Sequence, residues 1–295
     1  MRARRDAVRH AAREALPVAP VTRTNYVAGM PELAFAGLSE QWLLRTCGQL
    51  HWSALAAQAR LASPDFYDEA GHKSYAAFTA IRVREARFED VSENQRFAIE
   101  ADVRRIAGAR HFGAFRVFTT ESAIAQVELL STFVRREHAG DNRSVCKAMF
   151  TGAPPAAMPA GAQALIDQSR RLRANDWTAH GRLERATHAV EHKVDYLPCP
   201  SLDFNGAHLL YFASFQSMVE RAEWHWRSAP QSAPPTLVER DMAFYGNANV
   251  GDRLVLSFGA RHAGHDGLSH WCSIARAGDG VRIADVVTHK RWSHE

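Results

Sequence analysis

No apolar run in the sequence approaches the roughly 20 residues that a helix needs to cross a bilayer, so no membrane span is expected. The opening segment, MRARRDAVRHAARE, lacks the apolar stretch of a secretory signal, and a cytoplasmic protein is the expectation. Cysteine is scarce. Cys47, Cys146, Cys199 and Cys272 stand far apart, with no CxxC and no metal-ligand spacing. They read as free thiols, mostly small core residues, and none has a context that would make it a nucleophile. There is no GxSxG elbow, Walker A loop, GxGxxG or HExxH, so serine-hydrolase, nucleotide, dinucleotide and zinc-protease readings have no starting point. A large charge of one sign is missing too: 36 Lys plus Arg against 32 Asp plus Glu leave +4, much of it from five Arg in residues 1–14. With no nucleic-acid-binding signature beside it, that segment reads as a solvated tail or short surface helix, with weak attraction for an acidic partner.

Of the 295 residues, 46% are hydrophobic, and 15 Phe, 7 Trp and 6 Tyr can build a sizeable core. Residues 151–161, rich in Pro, Gly and Ala, read as a linker, followed by a polar, Arg-rich helix or loop over about 164–187. The expected division is an N-terminal unit over 20–150, a linker over 151–184 and a C-terminal unit over 185–295.

Both halves share one outline. In the first, an extended lead-in at 22–28 precedes a helix over 39–58, with Ser39 as N-cap and apolar residues at helical spacing. Strands follow at 74–83, 96–106, 111–119 and 125–135. In the second, a mostly buried helix is expected over 205–226, ended by the proline run 230–235. Strands are expected at 237–245, 252–261, 269–275 and 281–289. One long apolar helix and a meander of about four strands, occurring twice, is the pattern of two hot-dog folds in tandem, an α+β architecture. Ser39 precedes Tyr75 by 36 positions, and Asn205 precedes Asp241 by the same number.

Asp203-Phe-Asn-Gly-Ala207 is the most informative local feature. At a helix start, free backbone N–H groups favour negative charge, and Gly206 lets a ligand approach the backbone closely. Asn205 and Gly206 could hold a carbonyl or enolate oxygen there, while the plainer reading has Asp203 or Asn205 simply capping the helix. Gly37-Leu-Ser-Glu40 occupies the matching position of the first half, which makes Gly37 and Ser39 candidate substrate contacts. Tyr75 is a candidate nucleophile, proton donor or hydrogen-bond donor, against the reading of an ordinary half-buried strand aromatic. Tyr67 competes for the role from an acidic loop. His51 and His208 fall within helices and His225 near a helix end, while His262, His265 and His270 cluster without a ligand pattern, so no metal is expected.

The runs Met30-Pro-Glu-Leu33, Gly37-Leu-Ser-Glu-Gln-Trp-Leu-Leu44 and Cys47-Gly-Gln-Leu-His-Trp52 resemble the leinamycin-pathway bifunctional acyltransferase/decarboxylase family. So do Ser74-Tyr-Ala-Ala-Phe78, Asp203-Phe-Asn-Gly-Ala-His-Leu-Leu-Tyr-Phe-Ala213, Arg240-Asp-Met-Ala-Phe-Tyr-Gly-Asn247 and Asp279-Gly-Val-Arg-Ile-Ala284. The resemblance covers about residue 24 to the C-terminus apart from the linker, and Asp-Phe-Asn-Gly is its most specific part. It implies a double hot-dog that decarboxylates a malonyl- or methylmalonyl-type thioester and transfers the acyl group to an acyl carrier protein. It also implies that Tyr75 matches the tyrosine to which that activity is ascribed. No metal or redox cofactor is called for, since the substrate arrives on coenzyme A or phosphopantetheine. The expected partners are an acyl-CoA and a carrier protein, with no nucleic acid and no membrane; a homodimer is allowed. Rival readings are a hot-dog dehydratase, for which His208 is the nearest histidine, and a thioesterase using Asp203, Glu40 or Asp241 to activate water. A non-catalytic carrier-binding scaffold is the third.

Overall fold

The computed structural model describes residues 21–150, 155–185, 190–227, 234–265 and 267–292. The basic segment 1–14, the first four linker residues and positions 230–233 of the proline run lie outside the described residues. The first half contains β1 (Thr22–Val27), the short β2 (Leu33–Ala34) and β3 (Gly37–Leu38), α1 (Glu40–Gln58) and β4 (Phe66–Tyr67). It continues with β5 (Lys73–Arg84), β6 (Arg96–Ala107), β7 (Arg110–Phe118), β8 (Ala123–Arg136) and β9 (Val145–Lys147). A connecting helix α2 (Ala160–Ala174) and a small hairpin, β10 (Ala179–His180) and β11 (Leu183–Glu184), lead to the second half. There β12 (His192–Tyr196), the single turn α3 (Pro200–Asp203) and α4 (Phe212–Arg227) precede β13 (Thr236–Phe244), β14 (Leu254–Gly264), β15 (Gly267–Arg276) and β16 (Arg282–Arg291).

All long strands belong to one antiparallel sheet in the order β1-β6-β7-β8-β5-β13-β16-β15-β14-β12. The two five-strand halves mirror each other and join where Arg82 pairs with Asp241 and Ala80 with Ala243. This is the repeat expected from the sequence, with the halves meeting through their sheets.

α1 starts where its cap chemistry says it should, with the Ser39 hydroxyl accepting from the Trp42 N–H at 3.3 Å. It buries Leu43, Leu44, Cys47, His51 and Leu55, and α4 buries Phe212, Ala213, Phe215, Met218, Val219 and Ala222. These side chains share one core with Ile81, Val83, Met242 and Phe244 of the sheet centre. Each fully buried Leu or Phe contributes about 1.5–3 kcal/mol. Gly48 lets the two helices approach, since a Cβ there would lie 2.8 Å from the Phe212 ring. Side chains alternate across a strand, so Ala80 faces the other way and packs under α2 with Leu130, Ala162, Leu165 and Ile166.

The second half departs from the expected helix over 205–226. The chain makes one turn, α3, then a tight hairpin bridged between Phe204 and Leu210, and only then enters α4. The cause is local. The Asn205 side-chain oxygen takes the N–H groups of Ala207 and Leu209, and His208 adopts φ +59°, which together divert the backbone from helix.

Candidate active site

A cavity of about 600 Å³ opens between the two halves. The first half supplies Trp52 of α1, Tyr75 and Phe78 of β5 and Cys146 and Lys147 of β9. The second supplies Asn205, Gly206, Tyr211, Phe212, Phe215 and Tyr245, while Arg173 enters from α2. Tyr75 and Asn205, 130 positions apart, therefore line one space, together with Gly206. Across the sheet Tyr75 pairs with Val134, which pairs with Lys147, so the three point to one face. Inside, Phe78 and Phe212 meet edge to face at 4.5 Å, and Trp52 stacks on Phe78 at 5.7 Å while donating to the Ala76 carbonyl at 2.8 Å. These rings give the cavity an apolar floor.

Asn205 does not begin a helix. Its Oδ1 accepts from the backbone N–H groups of Ala207 and Leu209, both at 3.0 Å. Its own N–H donates to the Leu209 carbonyl at 2.9 Å. Because Oδ1 is committed twice, the orientation of the amide is set, and Nδ2 is the donor left without a partner among the described residues. The start of α4 is seven residues on, at Phe212, and also lies on the cavity wall.

The other sequence candidates have local tasks. Gly37 has φ +83°, and a Cβ there would sit 2.0 Å from the Phe88 carbonyl oxygen. Ser39 caps α1. Asp203 is buried, accepting from the Tyr196 hydroxyl at 3.1 Å and the Cys199 N–H at 2.8 Å. Burial and the Asp203 charge push the Tyr196 phenol up to about 12. Gly37, Ser39 and Asp203 are not among the cavity's lining residues. His208 lies in the exposed turn and not in a helix. No group of three side chains able to hold a metal ion occurs among the described residues.

The lining carries Arg143, Lys147, Arg173 and Arg276, and among its described residues no Asp, Glu or His. Arg143 pairs with Asp252 and Arg276 with Asp279, while Arg173 donates to the Phe244 carbonyl. The carboxylates weighed as water activators are engaged elsewhere. Burial alone would raise the Asp241 carboxyl, but a His180 hydrogen bond at 2.7 Å and Arg84 at 2.8 Å hold it down at about 2.

Glu40, at the start of α1, lies where a second site would fall by the repeat. Arg240, fully buried, donates to Glu40 at 2.7 Å and to Thr288 at 2.7 Å, and also pairs with Glu220. Lys290 bridges Glu220 at 2.7 Å and Glu223 at 2.9 Å, and Glu223 meets His270 at 2.8 Å. Burial raises the Glu223 carboxyl, yet the His270 hydrogen bond and Lys290 outweigh it, giving about 2. A closed ionic network thus fills the second position.

Arg136, Asn142 and Asn247, which hold the Asn205 turn, and the four cations did not stand out in the sequence. The pair Asp141-Asn142, in the loop between β8 and β9, was the available signal, since such residues favour turns that feed side chains to neighbouring backbone.

No family model and no curated protein matches the sequence. Solved structures do match. An acyl-ACP thioesterase from Bacteroides thetaiotaomicron aligns with TM-score 0.58 at 9% identity, over 92% of this chain and 98% of that one. A 12:0-ACP thioesterase from Umbellularia californica aligns with TM-score 0.57 at 11% identity, over 92% and 94%. At such identities the likeness concerns architecture, and it agrees with the mirrored strand order: the chain has a hot-dog fold, present twice.

Proposed function

We propose that the protein is an enzyme acting on an acyl thioester, carried by coenzyme A or by the phosphopantetheine arm of a carrier protein, in the cavity between its halves. The observation that carries this reading is that Tyr75 and Asn205, from different halves, line one space that aromatic rings and four cationic side chains also border. Asn205 Nδ2 is suited to hold the thioester oxygen, because its orientation is set before substrate arrives.

Two outcomes for the bound thioester each have an observation behind them. Hydrolysis is favoured by the structural neighbours, the acyl-ACP thioesterases. Decarboxylation of a malonyl- or methylmalonyl-type group, with acyl transfer to a carrier protein, is favoured by the lining and by the resemblance of the Asp-Phe-Asn-Gly block. Hydrolysis needs a base to activate water, and the described lining supplies no carboxylate or imidazole. Decarboxylation needs none: the C–CO2 bond breaks, its electrons pass to the thioester oxygen, and the enolate then takes a proton at carbon. In the transfer the carrier's phosphopantetheine thiol forms the new C–S bond as the old one breaks, and its proton passes to the departing thiolate of the first carrier. In that sequence Asn205 steadies the oxygen, and Tyr75 positions the acyl group or delivers the proton.

Incubating the protein with malonyl-, methylmalonyl-, 3-hydroxyacyl- and saturated acyl-thioesters plus a carrier protein, then weighing the carrier by mass spectrometry, separates the outcomes. A carrier bearing the decarboxylated acyl group supports decarboxylation with transfer, whereas free acid released from saturated substrates supports hydrolysis. All thioesters returning unchanged would overturn the enzyme reading in favour of a carrier-binding protein.

A further inference from the structure

We infer that Asn142 is a positioning residue, through which the first half holds the Asn205 turn of the second half in its working shape; its effect on turnover rests on the thioester reading above. Asn142 lies in the loop between β8 and β9, is 4% exposed, and uses its amide on three segments at once. Nδ2 donates to the His208 carbonyl at 2.7 Å and to the Ala248 carbonyl at 2.8 Å, while Oδ1 accepts from Arg136 Nε at 2.8 Å. Its backbone N–H donates to Asn249 Oδ1 at 2.7 Å. Arg136 also donates to the Ala207 carbonyl.

The turn is therefore held from two sides. Asn205 takes the N–H groups of Ala207 and Leu209, and the first half takes the carbonyls of Ala207 and His208. Asn247 fixes the exit, accepting from the Leu210 N–H at 2.9 Å. The conformation needs this support, because His208 at φ +59° is in a region costly for a residue with a Cβ, of order 1–3 kcal/mol. Neither the residues 205–209 nor the second half alone supplies it. Asn142 also borders the cavity, but its amide oxygen and both amide hydrogens are committed to Arg136, His208 and Ala248, so it acts by placing Asn205.

Asn142→Asp keeps the shape and removes both donors, setting a carboxylate oxygen against two carbonyls. A shift of about 1 Å in a catalytic group costs up to about 100-fold. The expected result is a fall in kcat of about 10- to 100-fold with KM within about threefold of wild type, and faster amide hydrogen exchange at Ala207 and Leu209. Leu165→Ala, under α2 on the opposite face of the sheet, is the stability control, losing melting temperature while kcat of the folded protein and exchange in the turn stay unchanged. Unchanged exchange at Ala207 and Leu209 in Asn142→Asp, or faster exchange with unchanged kcat, overturns the inference. If wild type turns over no thioester, the functional reading fails by itself, and the exchange measurement still decides whether Asn142 holds the turn.

Discussion

Replacing Arg240 by Met should destabilise the protein by about 3–5 kcal/mol. Arg240 is fully buried and carries the charge that faces Glu40, itself only 9% exposed. Lys290, the next cation, is already bridging Glu220 and Glu223. Without Arg240 the Glu40 carboxylate is left buried and unpaired, and breaking such a pair costs about 3–5 kcal/mol. The alternative route gives the same size: protonating a carboxyl of ordinary pKa near 4.3 at pH 7 costs about 2.7 × 1.36, or about 3.7 kcal/mol. Burial already raises the Glu40 carboxyl against the pull of Arg240, so the variant raises it further. A folded-state pKa above the unfolded one makes the variant's stability fall as pH rises, so its deficit should be greatest near neutrality and smallest below about pH 4. Urea unfolding followed by tryptophan fluorescence should show the midpoint lower by about 1–2 M. Adding Glu40→Gln should restore at least half the loss, since the buried group is then neutral. A deficit under 1 kcal/mol, or a double variant no better than the single one, refutes the view that this network is a closed, mutually dependent unit.

Tyr75→Phe keeps the ring in its wall and should leave the melting temperature within a degree or two while thioester turnover falls; undiminished turnover removes the hydroxyl from the chemistry. Asn205→Ala should lower turnover by about 10- to 1000-fold, and by losing two bonds to backbone N–H groups should also cost about 1–2 kcal/mol in urea unfolding. Asp241→Asn should flatten the acid limb of stability: the carboxyl, depressed to about 2 from 3.8, gives stability that is full above about pH 4 and lost toward pH 2. Chemical denaturation at pH 6 should then show a deficit of about 2 kcal/mol that vanishes near pH 2. Gly37→Ala puts a methyl group 2.0 Å from the Phe88 carbonyl oxygen at φ +83°, and should cost more than the roughly 1–2 kcal/mol of the left-handed conformation alone, measured by thermal unfolding.

The long strands and α1 were legible because each obeys one strong rule. The period-two burial of β5 follows from the alternation of side chains along an extended chain, and the Ser39 cap of α1 from a contact three residues away. Residues 205–211 were not. Their apolar spacing continues smoothly into α4, so periodicity reads one helix, whereas the Asn205 side chain bonding its own backbone decides for a turn. The shared cavity was legible for Tyr75 and Asn205, through the logic of paired repeats. The roles of Arg136 and Asn142 were hidden, because they depend on carbonyls about 70 positions away. Strand β12 escaped as a five-residue edge strand with no fully buried residue to mark it.

The ionic network at the start of α1 bears on how such a chain can change over generations. When two identical subunits pair, any substitution appears at both symmetric positions and must be tolerated at both. Here the two positions are encoded separately. One can close around Glu40 and Arg240 as a rigid anchor, while the other keeps Tyr75 from one half and Asn205 from its neighbour around an open space. Active-site titration should accordingly return one reactive centre per chain, and substitutions at the anchor can accumulate under selection for stability without passing through the reacting groups.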